Sequence, residues 1–390
     1  MINPLKIILR KLNSCNYHLN QYFIKCRIKI LKTTLFTKML VFYKLLNSKQ
    51  KVAIGTLFNT KGGVANHILA LNKYLMTSNI AIPCQYFFHK IDIETFCRLC
   101  ETFNMVNNSV IHSHADTWFM NYCHQQQKTN KTKWVHTYHL PYFEGCHGPL
   151  ENWQIEMNNT LLNVACKADV KIVVGKWLKE YLFEEYKIET IYIPNGVDLD
   201  KCNKADKNRF IDLYQLENFI LFASKIDYVK NPLEFVELAE LLPDEQFVMI
   251  GSDITIKVLE QQLHRKVPAN LIVIGEYLNH EIILDAMAAC KVFVMTSRIE
   301  GLPTALMEAM ALGKPVVASK VRGCEELLDN EKYGYLYDLG DIDMLKNKTI
   351  AALNDSEIGS NAKQYIQQNF DWKVIAPQID EVYNKLLNTY

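Results

Sequence analysis

The stretch that decides the fold runs Val292-Phe293-Val294-Met295-Thr296-Ser297-Arg298-Ile299-Glu300-Gly301-Leu302-Pro303-Thr304-Ala305-Leu306-Met307-Glu308-Ala309-Met310. The first four residues read as a buried strand, and a Gly-Leu-Pro turn leads into a helix. Pro303 is expected at the first helical position, where a missing N–H costs nothing. Gly313, with Pro315 two residues beyond, marks the stop. A helix that opens just past a strand end leaves its first amides without partners, here those of Thr304, Ala305 and Leu306. Its aligned peptide dipoles favour an anion at that point. Glu300 lies in the loop before the helix and Glu308 about one and a half turns inside it. One carboxylate then reaches past the anion on one side, and the second lies under it. Two acceptors around a phosphate suit a ligand with hydroxyl-bearing groups on both sides of that phosphate, as in a nucleotide sugar.

Outward from this stretch, strands alternate with helices on both sides. In the C-terminal half, strands are expected at Phe219–Ser224, Gln246–Ile250, Leu271–Ile274, Val292–Met295 and Pro315–Ala318. In the N-terminal half they are expected at Val52–Phe58, Ile82–Phe88, Val110–His114, Trp134–His139, Val170–Val174 and Ile191–Pro194. Strands alternating with amphipathic helices predict an α/β fold with parallel, doubly wound sheets, which bind ligands at the carboxyl ends of their strands. Residues 201–218 are polar and read as a linker. Gly62-Gly63 stands at a strand end and lets the backbone approach a ligand closely. It lacks the Gly-x-Gly-x-x-Gly spacing of a dinucleotide cofactor site. His112, His114, His136 and His139 end two strands, where an imidazole faces the ligand crevice. No carboxylate or cysteine spacing accompanies them, so no metal is expected. Asp198-Leu199-Asp200 and Asp341-Ile342-Asp343 are short acidic triplets of a kind common by chance, and neither is read as a metal site.

The pattern resembles the large family of retaining glycosyltransferases, group 1 or family 4, that share a Glu-x7-Glu signature. Glu300 and Glu308 have that spacing, with a Glu-Gly-Leu-Pro lead and the tail Ala311-Leu312-Gly313-Lys314-Pro315-Val316-Val317-Ala318. The resemblance covers residues 51–388. It implies the GT-B architecture, two Rossmann-like domains facing a cleft: residues 51–205 on the acceptor side and 206–372 on the donor side. A last helix, 373–390, is expected to pack back on the N-terminal domain. It further implies retaining transfer of a hexose-type sugar from a nucleotide-diphosphate sugar to an acceptor, without a cofactor or metal. Glu300 is then expected at hydroxyls of the donor sugar and Glu308 at the ribose. Gly301, Leu302, Thr304, Ala305 and Leu306 form the surrounding donor site. Gly62 and Gly63 match a loop near the donor diphosphate and the acceptor. His139 matches the position that touches the transferred sugar, and His114 is a further cleft candidate. Lys230 matches a family cation directly. Ser224 and Lys225 replace the family's Gly-Arg, and Lys225 keeps the charge but not the planar two-pronged donor. A nucleotide-sugar isomerase on the same fold, or a catalytically silent binding protein, would carry many of the same residues.

Composition sets the remaining bounds. The chain has 390 residues, 49% of them hydrophobic, long enough for two domains. Its formal net charge of +1 gives no overall attraction to nucleic acid. Residues 1–50 nevertheless contain ten Lys or Arg and no Asp or Glu. Apolar residues such as Leu5, Ile8, Phe23, Ile28, Leu35 and Phe42 run between these cations. Cations interrupt them too often for a spanning helix, which needs roughly 20 apolar residues, and no signal-peptide pattern is present. An amphipathic extension on an anionic membrane surface, through residues 1–47, is expected. Together with the resemblance, this points to a lipid-linked or membrane-borne glycan acceptor in envelope polysaccharide or glycolipid synthesis. The expected location is peripheral, on the cytoplasmic face. The 11 cysteines form no disulfide framework and are expected as reduced thiols. Cys97-x-x-Cys100 falls in a helical pattern and is expected to pack in a core.

Overall fold

The computed structural model describes residues 51–56, 62–83, 109–224, 227–252 and 254–388. The basic start, the Cys97-x-x-Cys100 pair and Lys225 lie outside the described residues.

Two six-stranded sheets organise the described residues. The first comprises β1 (Val52–Thr56), β2 (Asn79–Pro83), β3 (Val110–Ser113), β4 (Lys133–Tyr138), β5 (Val170–Val173) and β6 (Ile191–Tyr192), in the order β2-β1-β3-β4-β5-β6. The second comprises β7 (Phe219–Ala223), β8 (Gln246–Ile250), β9 (Leu271–Ile274), β10 (Val292–Met295), β11 (Val316–Ser319) and β12 (Tyr335–Tyr337), in the order β12-β11-β10-β7-β8-β9. Every pairing is parallel. In each sheet the winding reverses once, between β1 and β3 in the first and between β7 and β10 in the second. Such switch points open a crevice beyond the strands' carboxyl ends, because the two flanking connections leave on opposite faces.

Parallel sheets are covered on both faces, and the strand sequences show it. In β7, Phe219, Leu221 and Ala223 enter one apolar cluster while Ile220 and Phe222 enter another across the sheet. In β1, Ala53 packs on one side and Val52 with Ile54 on the other. Each large side chain buried in this way contributes about 1.5–3 kcal/mol.

The structure departs from the sequence reading in several places. β2 starts at Asn79, three residues before the expected strand. β12 was not expected, since three residues are too few to show a period. Residues 201–218 hold more structure than a linker. A short helix spans Leu199–Cys202 and a second spans Lys207–Tyr214, capped by Asp206 and burying Phe210. The charges that suggested a linker lie on the exposed side of these helices.

The helix Trp372–Leu387 returns to the first sheet. Its Trp372, Ile375, Ala376, Ile379, Val382 and Tyr383 share a core with Val52, Ile54 and Val110. Asp380 accepts from Met76 N (2.8 Å) and Thr77 N (2.9 Å), in the turn between the helix Gly63–Tyr74 and β2. Among the described residues, no helix is long and apolar enough to cross a membrane.

Candidate active site

The helix Thr304–Ala311 opens three residues beyond the Glu300-Gly301 loop that follows β10. Pro303 is its N-cap residue, one position earlier than expected, with the extended backbone (φ −77°) typical of a cap. A proline offers no side-chain acceptor, and the first backbone bond from within the helix runs from Met307 N to Pro303 O. The amides of Thr304, Ala305 and Leu306 are left as donors at the helix mouth.

Lys230, in the turn after β7, reaches Glu300 in the loop before this mouth. That turn is tied to the β10 loop at several points. Arg298 N donates to Val229 O (2.7 Å), an Arg298 guanidinium nitrogen to Asn231 Oδ1 (2.8 Å), and Thr296 Oγ1 to Lys230 O (2.9 Å). Lys230 Nζ donates to Glu300 Oε1 at 2.5 Å. Burial alone would lower the ammonium's pKa. Glu300, with Asp227 behind it, outweighs burial and holds Lys230 above the ordinary lysine range. The cation therefore stays charged at any physiological pH. Glu308 accepts from His280 Nε2 at 2.9 Å, and this bond raises the His280 pKa against the opposing effect of burial. Sequence reasoning did not single out His280. It opens the helix His280–Ala289, on an element before the quoted stretch.

The first sheet contributes the opposite wall. Gly62 has φ +99° and caps the helix Gly63–Tyr74, a conformation that glycine adopts without strain. A Cβ on Gly63 would stand 3.5 Å from Thr304 Oγ1, so the two helix mouths meet across the cleft. His114 follows β3 and His139 follows β4. Their rings meet, with His114 Nδ1 3.0 Å from His139 Nε2. His67, from the first turns of the helix Gly63–Tyr74, joins them with ring centroids 5.3 Å and 4.9 Å away. Burial, seconded by the neighbouring imidazoles, depresses the pKa of His114 and His139 well below the ordinary histidine value. Burial takes His67 to about 4, against the opposing bond to Asn195. All three are neutral at pH 7. His112 is spent elsewhere, between Tyr383 Oη (2.6 Å) and Thr137 Oγ1 (2.8 Å). His136 pairs with Ser113 Oγ (2.8 Å).

Backbone contacts hold the two walls in register. A Cβ on Gly301 would meet His139 O at 2.3 Å, so only glycine allows the Glu300 loop to press on the β4 end. Trp177 Nε1 donates to Gly301 O (2.9 Å) and Asn195 Nδ2 to Leu302 O (3.0 Å). Glu326 of the second half accepts from Lys176 N and Trp177 N, capping a helix of the first half that has no acid in its own first turn. His147, in the segment after β4, lies within the electrostatic reach of Lys230 and Glu300. His67, Asn195, Trp177, Glu326 and His147 carried no local signal, because each acts across the fold.

The acidic triplets have structural partners. Asp198 accepts from Lys201 N and pairs with Lys73 and Tyr74. Asp200 pairs with Lys373, and Asp341 caps a helix through Met344 N.

Comparison with known proteins follows this geometry. Residues 203–369 match the family described as glycosyl transferases group 1, and residues 90–201 match the family described as glycosyltransferase family 4. Together they take in well over half of the chain. Over 221 residues the chain is 30% identical to the Escherichia coli UDP-Gal:alpha-D-GlcNAc-diphosphoundecaprenol alpha-1,3-galactosyltransferase, covering 53% of this chain and 55% of that one. The chain spans little more than half the length of the first curated relatives it matches. Among solved structures, the sucrose-phosphate synthase of Thermosynechococcus elongatus superposes with a TM-score of 0.71 at 20% identity, covering 87% of this chain and all of that one. Anabaena HepE in complex with UDP and glucose gives 0.69 at 19% identity, covering 86% and 100%. At these identities the two structures speak to the fold alone.

Proposed function

We propose, since the chain belongs to the group 1 and family 4 glycosyltransferases, that it moves a hexose-type sugar from a nucleotide-diphosphate sugar to a glycan acceptor, retaining the anomeric configuration. The observation that carries this reading is the Lys230–Glu300 pair at the open mouth of the helix Thr304–Ala311, with Gly63 facing it across the cleft.

The bond that breaks joins the anomeric carbon to the diphosphate. Negative charge grows on the leaving oxygen while positive charge grows on the sugar ring. Fixed donors placed where the leaving charge develops lower the barrier most. In this reading Lys230, Lys225 and the amides of Thr304, Ala305 and Leu306 receive the diphosphate, and no metal is needed. Substrate then displaces Lys230 from Glu300, which frees that carboxylate for the sugar hydroxyls. Glu308 takes the ribose and His139 a hydroxyl of the transferred sugar. A neutral imidazole suits that place, because it adds no positive charge next to a ring that is itself becoming positive. Glu300 is not cast as a nucleophile. A retaining glycosidase needs two carboxylates about 5 Å apart across the bond, whereas Glu300 has an ammonium as its partner. The acceptor attacks from the leaving-group face, and the departing diphosphate takes its proton.

That the Escherichia coli relative is a galactosyltransferase of alpha-D-GlcNAc-diphosphoundecaprenol supports an acceptor carried on a lipid diphosphate. The basic, apolar residues 1–47 supply a means of resting on an anionic membrane at the cytoplasmic face. The test is transfer itself. The chain is incubated with UDP-, GDP- and dTDP-sugars and with lipid-linked glycans, and the product linkage is read by NMR. A product with the donor's anomeric configuration supports the proposal. Release of an isomerised sugar without acceptor, or an inverted linkage, contradicts it.

A further inference from the structure

We propose that His67, His114 and His139 form a binding site for a borderline divalent transition ion, of which Zn2+ is the type. One nitrogen of each ring lies within 4.8 Å of a nitrogen of the other two. The three rings come from three elements: the start of the helix Gly63–Tyr74, the end of β3 and the end of β4. His114 Nδ1 and His139 Nε2 are 3.0 Å apart. In a tetrahedral site with Zn–N bonds of about 2.0–2.1 Å, neighbouring ligand atoms stand about 3.3 Å apart, so this pair needs to open by only a few tenths of an ångström.

The hydrogen-bond network fixes one tautomer without reference to any ion. Asn195 Nδ2 donates to Leu302 O, a carbonyl that can only accept, so Asn195 turns Oδ1 towards His67. His67 Nδ1 lies 3.1 Å from that oxygen and must carry the proton. The lone pair of His67 is therefore on Nε2, which is buried and has no partner. His114 Nδ1 and His139 Nε2 share one hydrogen bond, and an ion between them would move its proton to the far nitrogen of the donating ring. An imidazole oriented through one nitrogen by an amide or carboxylate oxygen, with the other nitrogen free, is how metal-binding histidines are usually held. The rings are also neutral, as ligands must be. Among the described residues no carboxylate or thiol joins the group. An all-imidazole set suits Zn2+, Cu2+ or Ni2+ and gives Mg2+ and Ca2+, which prefer oxygen, little to hold. Three ligands leave one position for water.

The site goes beyond the transfer chemistry proposed above, which needs no metal. It bears on that chemistry at one point, if the proposed function holds: an ion that takes His139 removes it from the sugar, so loading the site slows transfer.

Co2+ serves as the probe. The full chain is stripped with EDTA, titrated with Co2+, and followed by visible absorption, with thermal unfolding measured in parallel. The expected result is one Co2+ per chain, with the intense visible bands of a four- or five-coordinate ion. Zn2+ displaces it and Mg2+ does not, and Zn2+ raises the unfolding temperature. His139→Gln and His67→Gln each abolish the bands. Asn195→Ala, which removes only the orienting oxygen, weakens binding by about 10- to 100-fold. Because buried histidine variants can fail to fold, X-ray absorption at the zinc edge is measured on the loaded native chain. Imidazole scattering with no sulfur at about 2.3 Å is expected. Absence of a cobalt band, a sulfur shell, or a band that survives both histidine variants in folded protein overturns the site. With the ion bound, one equivalent of Zn2+ should slow transfer and EDTA should restore it. Binding without inhibition leaves the site standing and contradicts the place given to His139 at the sugar.

Discussion

Among the described residues at the switch point of the first sheet, His114 after β3, His139 after β4 and His67 on the helix Gly63–Tyr74 are imidazoles held neutral by burial. At the matching point of the second sheet, the groups beyond β7 and β10 are an ammonium and a carboxylate in a 2.5 Å ion pair. The two halves share topology, parallel pairing and even a helix mouth aimed at the cleft. What differs is the side chain delivered to each strand end. The second half spends fixed charge where a diphosphate would lie. The first half offers uncharged hydrogen-bonding groups where a sugar and its acceptor would meet. Shared architecture thus places the crevice, and the residues at a few strand ends decide what each wall can do.

The sharpest way to break this comparison is to remove the charge from the second wall. Lys230→Ala is expected to lower kcat for sugar transfer by about 10²- to 10³-fold, the usual cost of losing one donor to a developing anion. Glu300→Gln should also impair transfer, through the sugar hydroxyls. His139→Gln should cost less, since it removes a neutral contact. Equal losses in steady-state assays of Lys230→Ala and His139→Gln would erase the distinction between the walls.

Gly301→Ala tests whether the walls must touch. Its new Cβ would meet His139 O at 2.3 Å, a backbone atom that cannot rotate away. A loss of about 1–3 kcal/mol in urea unfolding is expected, as for other overpacked sites. Gly63→Ala adds a methyl 3.5 Å from Thr304 Oγ1, an ordinary contact, and should leave stability nearly unchanged.

The neutral wall has a pH signature of its own. His67 has a pKa near 4 in the folded chain, pressed down by burial among His112, His114 and His139, and an ordinary value near 6.5 when unfolded. Between those values the unfolded chain binds a proton that the folded chain does not. Stability is therefore complete above pH 6.5 and falls as the pH drops towards 4. About 2 kcal/mol should be lost from His67 alone between pH 6.5 and 5. Urea midpoints measured across that range should show a slope to which the buried His112, His114, His136 and His139 also contribute, and His67→Gln should reduce it by the His67 share. The charged wall runs the other way. His280 is raised by Glu308, so its stabilisation is present below pH 6.5 and fades as the pH rises through its folded pKa. With His280 about a third exposed, the effect should stay under about 1 kcal/mol in the same series on His280→Ala.

The comparison also explains what the sequence made legible. The second wall was readable because strand, loop, cap and helix follow one another between Val292 and Met310, and each leaves a local mark. The parallel sheets were readable for the same reason, since alternation repeats along the chain. The first wall is assembled from pieces far apart in sequence. His114 and His139 stood out as strand ends, but His67 sits inside an ordinary amphipathic helix and becomes a neighbour only through the fold. The polar stretch 201–218 misled because composition shows a charged face and conceals one buried phenylalanine. Gly301 looked like a turn residue, and the carbonyl it must clear belongs to His139, just past a strand end some 160 residues earlier. Close approach between halves leaves no periodic trace.

On this reading a diphosphate belongs at the mouth of the helix Thr304–Ala311 beside Lys230. The most direct test is a crystal structure of the chain with whichever of UDP, GDP or dTDP it binds most tightly. The account predicts phosphate oxygens within hydrogen-bond distance of the amides of Thr304, Ala305 and Leu306, with Lys230 Nζ moved from Glu300 onto the phosphate. A diphosphate seated elsewhere on the molecule, with the Lys230–Glu300 pair undisturbed, would contradict it.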